Sequence, residues 1–152
     1  MPWAFRVCKA RYHIFDGTGA ALRGGRWNSP GRSVIYASTC LAGSVLEVIA
    51  HAGRMGRLPG KHHAGRALIP AELPVETVEP ELLPGWAEPQ SPVARAFGDR
   101  WLREARTVAL YVPAVIAQPF AYNVLLNPAH SEYSRVEIEE PREVRWDPRV
   151  VV

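Results

Sequence analysis

The sequence predicts an α+β fold, a compact mixed β-sheet core with flanking helices. Three observations carry that expectation. Short apolar runs rich in β-branched and aromatic residues recur along the chain, two segments instead repeat apolar residues at helical spacing, and the two kinds follow one another irregularly.

Residues 3 to 8, WAFRVC, and the segment after them through Phe15 read as a first strand and its continuation, with Asp16-Gly17-Thr18-Gly19 as a turn. A Gly24-Gly25 pair, expected to be mobile, precedes Arg26. SVIYAS, from Ser33 to Ser38, is a short apolar run flanked by turn residues, so it is expected to enter the sheet with Tyr36 inside it. Thr39 then reads as the N-cap of a helix from Cys40 to Arg54, in which Leu41, Val45, Val48, Ile49 and Ala52 make an apolar stripe. Cys40, Ser44, Glu47 and His51 share an adjoining face, because intervals of three and four residues stack side chains along a helix.

Arg54 to Arg66, with Lys61, His62 and His63, is basic and rich in glycine, which predicts an exposed loop. ALIPA and VETVE predict two short strands, and the prolines between Pro70 and Pro92 argue against a long helix there. Ser91-Pro92 supplies a cap and a first-turn proline. Val93, Phe97 and Trp101 follow at four-residue intervals, so a scaffold helix is expected to end near Arg106. TVALYVP from Thr107 reads as a buried strand, Asn123 to Leu126 as a brief apolar segment before Asn127-Pro128, and Arg135 to Glu139 as a half-exposed strand.

A length of 152 residues suits one compact domain, and no repeat or linker divides it, so residues 1–152 are expected to form a single domain. A content of 47% hydrophobic and 22% charged residues is that of a globular protein, and no apolar run approaches the roughly 20 residues that cross a bilayer. The N-terminus mixes charge with apolar residues and lacks the apolar centre of a secretory signal, which predicts a cytoplasmic protein with Cys8 and Cys40 reduced. The net charge of +3 is scattered along the chain, whereas nucleic-acid binding calls for clustering. His62 and His63 are adjacent without a carboxylate or cysteine at ligand spacing, so no metal site is expected.

The stretch from Gly25 to His51 concentrates the chemistry. Arg26 suits a phosphate, Tyr36 a flat ring, and Glu47 a sugar carbon that becomes positive during reaction. Each has a plainer alternative: a structural salt bridge for Arg26, a core tyrosine for Tyr36, a solvated helix face for Glu47. No G-x-G-x-x-G joins a strand to a helix and no G-x-x-x-x-G-K-[ST] is present, so nucleotide recognition would need another mode. Ser44 lies in GSVLE rather than in a G-x-S-x-G elbow, which argues against a serine hydrolase.

GGRWNSPGRSVIYAS, LAGSVLEVIAH, and later VP, NVLLNPAHSEY and WDPR stand in the order found in the RES-domain family, toxins of RES–Xre type toxin–antitoxin systems, and the chain resembles that family over most of its length. The resemblance implies an ADP-ribosyltransferase-like fold and a toxin of a type II system that cleaves the nicotinamide–ribose bond of NAD by hydrolysis or phosphorolysis. NAD is then substrate and no cofactor is implied. The implied partners are an Xre-like antitoxin, which rather than this chain would bind DNA, and inorganic phosphate where phosphate is the acceptor. Arg26, Tyr36 and Glu47 match the family's arginine, tyrosine and glutamate, with catalytic or NAD-binding roles. Ser44 is a candidate for a ribose hydroxyl and His51 for holding Glu47 or a phosphate, unless both belong to a buried polar cluster. Asn127 and His130 either shape the far wall of the site or make a strand-ending turn. Where the family's signature serine follows a Val-Pro pair, this chain has Val112-Pro113-Ala114. A missing hydroxyl there weakens transition-state stabilisation by about 1.5 to 3 kcal/mol if it contacts the substrate. Transfer of ADP-ribose to a protein, and a catalytically weakened antitoxin-binding module, are the two competing expectations.

Overall fold

The structure is a computed structural model that describes residues 2–52 and 59–150. Its framework is one sheet of eight strands: β1 (Trp3–Lys9), β2 (Ile35–Ser38), β3 (His62–Leu68), β4 (Val75–Thr77), β5 (Ala109–Pro113), β6 (Tyr122–Leu126), β7 (Glu137–Ile138) and β8 (Arg142–Glu143). The spatial order is β4-β5-β6-β2-β1-β3-β7, with β8 also on β3. Only β4 and β5 run parallel; the other pairs are antiparallel. Helices α1 (Thr18–Arg23), α2 (Leu41–Ala52) and α3 (Pro92–Glu104) complete the α+β architecture. None of the described helices is long and apolar enough to cross a membrane.

Alternation along the strands divides the core in two. Ala4, Ile35, Ala37, Ala67, Val124 and Leu126 point to one face and pack with Ile69, Leu73 and Val136. Leu110, Val112 and Leu125 point to the other, where Trp27, Trp86, Ala94, Trp101 and Leu102 meet them. Tyr36 packs against this second cluster, so the face that carries Tyr36 also receives α3. Trp101 is wholly buried, and its indole N–H donates to Thr107 Oγ1 at 2.7 Å, which satisfies the ring's one polar group.

α3 begins as its sequence predicts: Ser91 Oγ accepts from Ala94 N at 3.2 Å and Pro92 fills the first turn. α2 begins differently. Thr39 Oγ1 donates to Tyr122 O at 2.9 Å, and the Cys40 sulfur accepts from Gly43 N at 3.3 Å, so Cys40 takes the capping role expected of Thr39. A hydroxyl beside a strand end finds a carbonyl there, and this ties the start of α2 to β6. The expected end of this helix at Arg54 lies outside the described residues.

Other sequence expectations are corrected. The chain leaves the sheet after Lys9 rather than extending the strand to Phe15, and Asp16-Gly17-Thr18-Gly19 opens α1, with Asp16 Oδ1 accepting from Thr18 N at 3.0 Å. Of the basic segment expected as a loop, residues 54–58 lie outside the described residues, while His62 to Arg66 form most of β3, paired through its length with β1. Its polar side chains are accommodated by neighbours: Arg66 lies over the Trp3 ring at 4.3 Å and pairs with Glu139, and His62 meets the Trp146 ring edge-on at 5.4 Å. The strand expected over Arg135 to Glu139 shrinks to the two residues of β7, preceded by a 3-10 turn at Tyr133–Arg135. Cys8 and Cys40 are free thiols.

Candidate functional site

The loop carrying Arg26 is fastened on every side. Gly25 and Asn28 form a small antiparallel bridge, and the buried Asn28 side chain donates to Ala20 O at 2.9 Å. Tyr36 Oη donates to Asn28 Oδ1 at 2.6 Å and accepts from Trp27 N at 3.1 Å. A side chain at residue 25 would put its Cβ 2.6 Å from that oxygen, so this approach requires glycine. From the other side, Asp99 on α3 accepts from Ser29 N at 2.7 Å and Ser29 Oγ at 2.5 Å. Gly98 lets α3 lie against the same loop, since a Cβ there would come within 1.7 Å of Trp27 O. The pair expected to be mobile is therefore built into a rigid turn.

Arg26 Nη1 donates to Trp86 O at 3.0 Å and to Glu88 O at 2.6 Å. Both acceptors are neutral carbonyls, so the guanidinium is aimed without its charge being cancelled. The structural salt bridge considered as the alternative is absent among the described residues.

Tyr36 has both hydrogen-bonding capacities of its hydroxyl engaged by the Arg26 loop, and burial pushes its pKa up to about 12. The phenol is thus a neutral strut under the loop.

Glu47 is reached from the same face of the sheet as Tyr36. Ser38 is two residues beyond Tyr36 on the same face of β2, and its register partner on β6 is Asn123. Ser38 Oγ donates to Asn123 Oδ1 at 3.1 Å, and Asn123 Nδ2 donates to Glu47 Oε1 at 3.2 Å. This two-step chain orients the carboxylate and leaves Oε2 without a partner among the described residues. α2 is held down one turn earlier, where Ser44 Oγ donates to Phe5 O at 2.6 Å.

Arg26, Tyr36 and Glu47 therefore share one face of the sheet, while the other candidates part from them. The Ser44 hydroxyl is buried and spent on β1. His51 is exposed, and its Nδ1 lies 3.2 Å from Glu47 O on its own helix rather than by the carboxylate. Asn127 and His130 follow the far end of β6, about 13 Å along the strand from Asn123 at roughly 3.3 Å per residue. There they build a turn: Asn127 Oδ1 accepts from Ala129 N at 3.0 Å and His130 Nδ1 from Glu132 N at 3.0 Å. The strand-ending turn considered for Asn127 and His130 is formed. Ala114 follows β5 in extended backbone, buried on the face of Val112, which pairs with Asn123.

The RES domain model matches residues 3–147. The chain belongs to the RES domain family. This RES chain is 37% identical over 155 residues to the Prs ADP-ribosylating toxin of Sphingobium sp., an alignment covering 98% of the chain and 95% of that protein. It is 30% identical over 138 residues to a Toxin Res of Photorhabdus laumondii, covering 86% of the chain and 85% of the relative. A second Toxin Res, from Pseudomonas putida, is 34% identical over 135 residues, covering 85% and 89%. Its fold is similar to one in the crystal structure of the M. tuberculosis MbcT-MbcA toxin–antitoxin complex, with a TM-score of 0.73 over 93% of this chain and 83% of that one at 17% identity.

Within this RES chain, sequence reasoning missed Ser38, Asn123, Asn28 and Asp99. Asn123 opens the motif NVLLNPAHSEY, yet only the register opposite Ser38 shows that it reaches α2. Asp99 sits in a helix that reads as scaffold, and nothing local in the sequence marks its reach to Ser29.

Proposed function

We propose that this RES chain is the toxin of a toxin–antitoxin pair and that it cleaves the nicotinamide–ribose bond of NAD, which is its substrate rather than a cofactor. The observation that carries this reading is the placement of a fixed, uncompensated arginine and an oriented carboxylate on one face of the sheet, with the Tyr36 strut between them. Arg26 takes a phosphate or a ribose oxygen of the dinucleotide through the nitrogens it does not spend on carbonyls. Glu47 faces the anomeric carbon and stabilises the positive charge that develops as nicotinamide leaves, and its free oxygen orients the acceptor.

Water or inorganic phosphate as acceptor makes the enzyme a degrader of NAD. The relative named as an ADP-ribosylating toxin favours a second reading, in which the acceptor is a protein side chain. The bond broken is the same in both. The partner in this reading is an Xre-like antitoxin that covers the site.

Purified chain incubated with NAD, with and without phosphate, is expected to release nicotinamide, and Glu47→Gln is expected to lose at least about a hundredfold in rate, as for removal of one transition-state electrostatic contact. Release by the variant at the rate of the unaltered chain, or none by either, overturns the proposal. NAD labelled in its adenine separates the acceptors, since label stays on protein only where protein receives the ADP-ribose.

A further inference from the structure

Arg95, on α3, stands outside every role assigned so far. Its helical neighbours at three-, four- and seven-residue spacing include Ser91, Gly98, Asp99 and Leu102, the face that α3 turns inward. Gly98 and Asp99 on that face touch Trp27 and Ser29. Just before the helix, the carbonyls of Trp86 and Glu88 hold Arg26. The loop from Arg26 to Ser29 therefore runs beside α3 in the helix direction, and Arg95 lies level with the gap between its two anchor points. Helical side chains lean toward the N-terminus of their helix, which carries the Arg95 guanidinium toward Arg26. Both cations act on the same phenol, that of Tyr36.

The two arginines lack partners to match. Arg95 Nε is buried without an acceptor among the described residues, and neither Arg26 nor Arg95 has a carboxylate at ion-pair distance there. Asp99 is the acidic group on this face, and both of its oxygens accept from Ser29. The Glu88 carboxylate lies by Gly85, and the Tyr36 phenol is neutral. Two guanidinium charges thus face one engaged carboxylate. Both arginines are half-buried, and two positive charges beside one engaged carboxylate make this face favourable for a ligand that brings negative charge.

We propose that Arg95 joins Arg26 in a two-arginine clamp for the diphosphate of the dinucleotide, an assignment that rests on the NAD reading and adds a binding residue to it. A diphosphate carries two negative charges, which match the pair, and the planar fork of each arginine offers parallel N–H donors to phosphate oxygens. The clamp would hold the adenosine diphosphate half of NAD, away from the bond that Glu47 addresses.

The test uses ADP and adenosine as probes, titrated calorimetrically into the chain and into Arg95→Gln, Arg95→Lys and, as control, Arg103→Gln at an exposed position of the same helix. Arg95→Gln is expected to weaken ADP by about tenfold or more, the loss of a charge-assisted phosphate contact, and to leave adenosine unchanged. Arg95→Lys, which keeps the charge and the packing stem, is expected to lose about three- to tenfold for want of the fork. With NAD, KM should rise by a similar factor and kcat should hold. Unchanged ADP affinity in both Arg95 variants overturns the clamp, as does an equal loss for adenosine or a failure of the unaltered chain to bind ADP. The two readings separate: Arg95-dependent ADP binding without nicotinamide release sinks the NAD-cleaving reading alone, and release with Arg95-independent KM sinks the clamp alone.

Discussion

Asn123 donates its side-chain amide to the Glu47 carboxylate at 3.2 Å, joining β6 to a helix 76 residues earlier in the chain. A flipped amide could still meet the Ser38 hydroxyl, but it would set its oxygen against the Glu47 carboxylate, so the carboxylate fixes which way the amide points. Asn123→Ala is expected to cut nicotinamide release about ten- to a hundredfold through kcat, the equivalent of a hydrogen bond to a charged group worth about 1.5 to 3 kcal/mol. Asn123→Asp should be worse, since it sets two carboxylates side by side. Steady-state kinetics on folded variants decides it, and an unchanged kcat would remove Asn123 from the site.

Tyr36 makes alkaline stability a readout of the loop. Burial raises its pKa from 10.0 to about 12, so the folded chain keeps this proton after the unfolded chain has lost it. The stabilisation is complete below pH 10 and is lost as pH climbs from 10 to 12, by about 2 to 3 kcal/mol at 1.36 kcal/mol per unit. Tyr36→Phe should start about 1 to 3 kcal/mol less stable, with Asn28 and the Trp27 N–H left short of partners, and fall less steeply with pH. Urea unfolding at pH 8 and pH 11 compares the two slopes; parallel slopes would show that the phenol is not held neutral.

Gly98→Ala places a methyl carbon 1.7 Å from Trp27 O, a backbone atom that cannot rotate aside. The expected cost is about 1 to 3 kcal/mol or more, and the surviving fold should show a raised KM for NAD because the Arg26 loop is pushed off α3. Substrate titration together with thermal unfolding tests both parts, and a variant as stable as the parent with an unaltered KM contradicts this packing.

Ala114→Ser restores a hydroxyl beside the row that holds Ser38 and Asn123. Turnover is expected to rise about tenfold or more, the counterpart of about 1.5 kcal/mol of regained transition-state stabilisation. Nicotinamide release by the two proteins under saturating NAD measures it directly, and a rate no higher than the parent's would show that this hydroxyl is dispensable here.

Periodicity and caps located the framework well where a single local pattern governs it. Ser91-Pro92 and the apolar run TVALYVP lie within one element each, and α3 and β5 follow them closely. The departures come from contacts made across the chain. His62 to Arg66 reads as loop because the segment around it is basic and rich in glycine, but Trp3, Glu139 and Trp146 accommodate its charged and aromatic side chains inside a strand. Thr39 reads as a cap because nothing local shows that Tyr122 O will claim its hydroxyl. The candidate site divides the same way. Arg26, Tyr36 and Glu47 were visible as residue types on neighbouring elements, whereas Ser38, Asn123 and Asp99 act through partners dozens of positions away.

Those distant partners also set an order on biosynthesis. Arg26 is held by carbonyls at Trp86 and Glu88, its loop by Asp99, and Glu47 by Asn123, so both halves of the site wait for residues made later. β2 itself has β6 as one of its two neighbours in the sheet. At about 5 to 20 residues per second, a ribosome takes several seconds to pass from Glu47 to Asn123. Through that interval the nascent polypeptide carries Arg26, Tyr36 and Glu47 but lacks the Asn123 amide, and at first also the Trp86 and Glu88 carbonyls and the Asp99 carboxylate, that hold the finished arrangement. On the NAD reading proposed above, the unfinished product would stay inactive by topology alone, and an antitoxin would be needed only from the moment β6 joins β2.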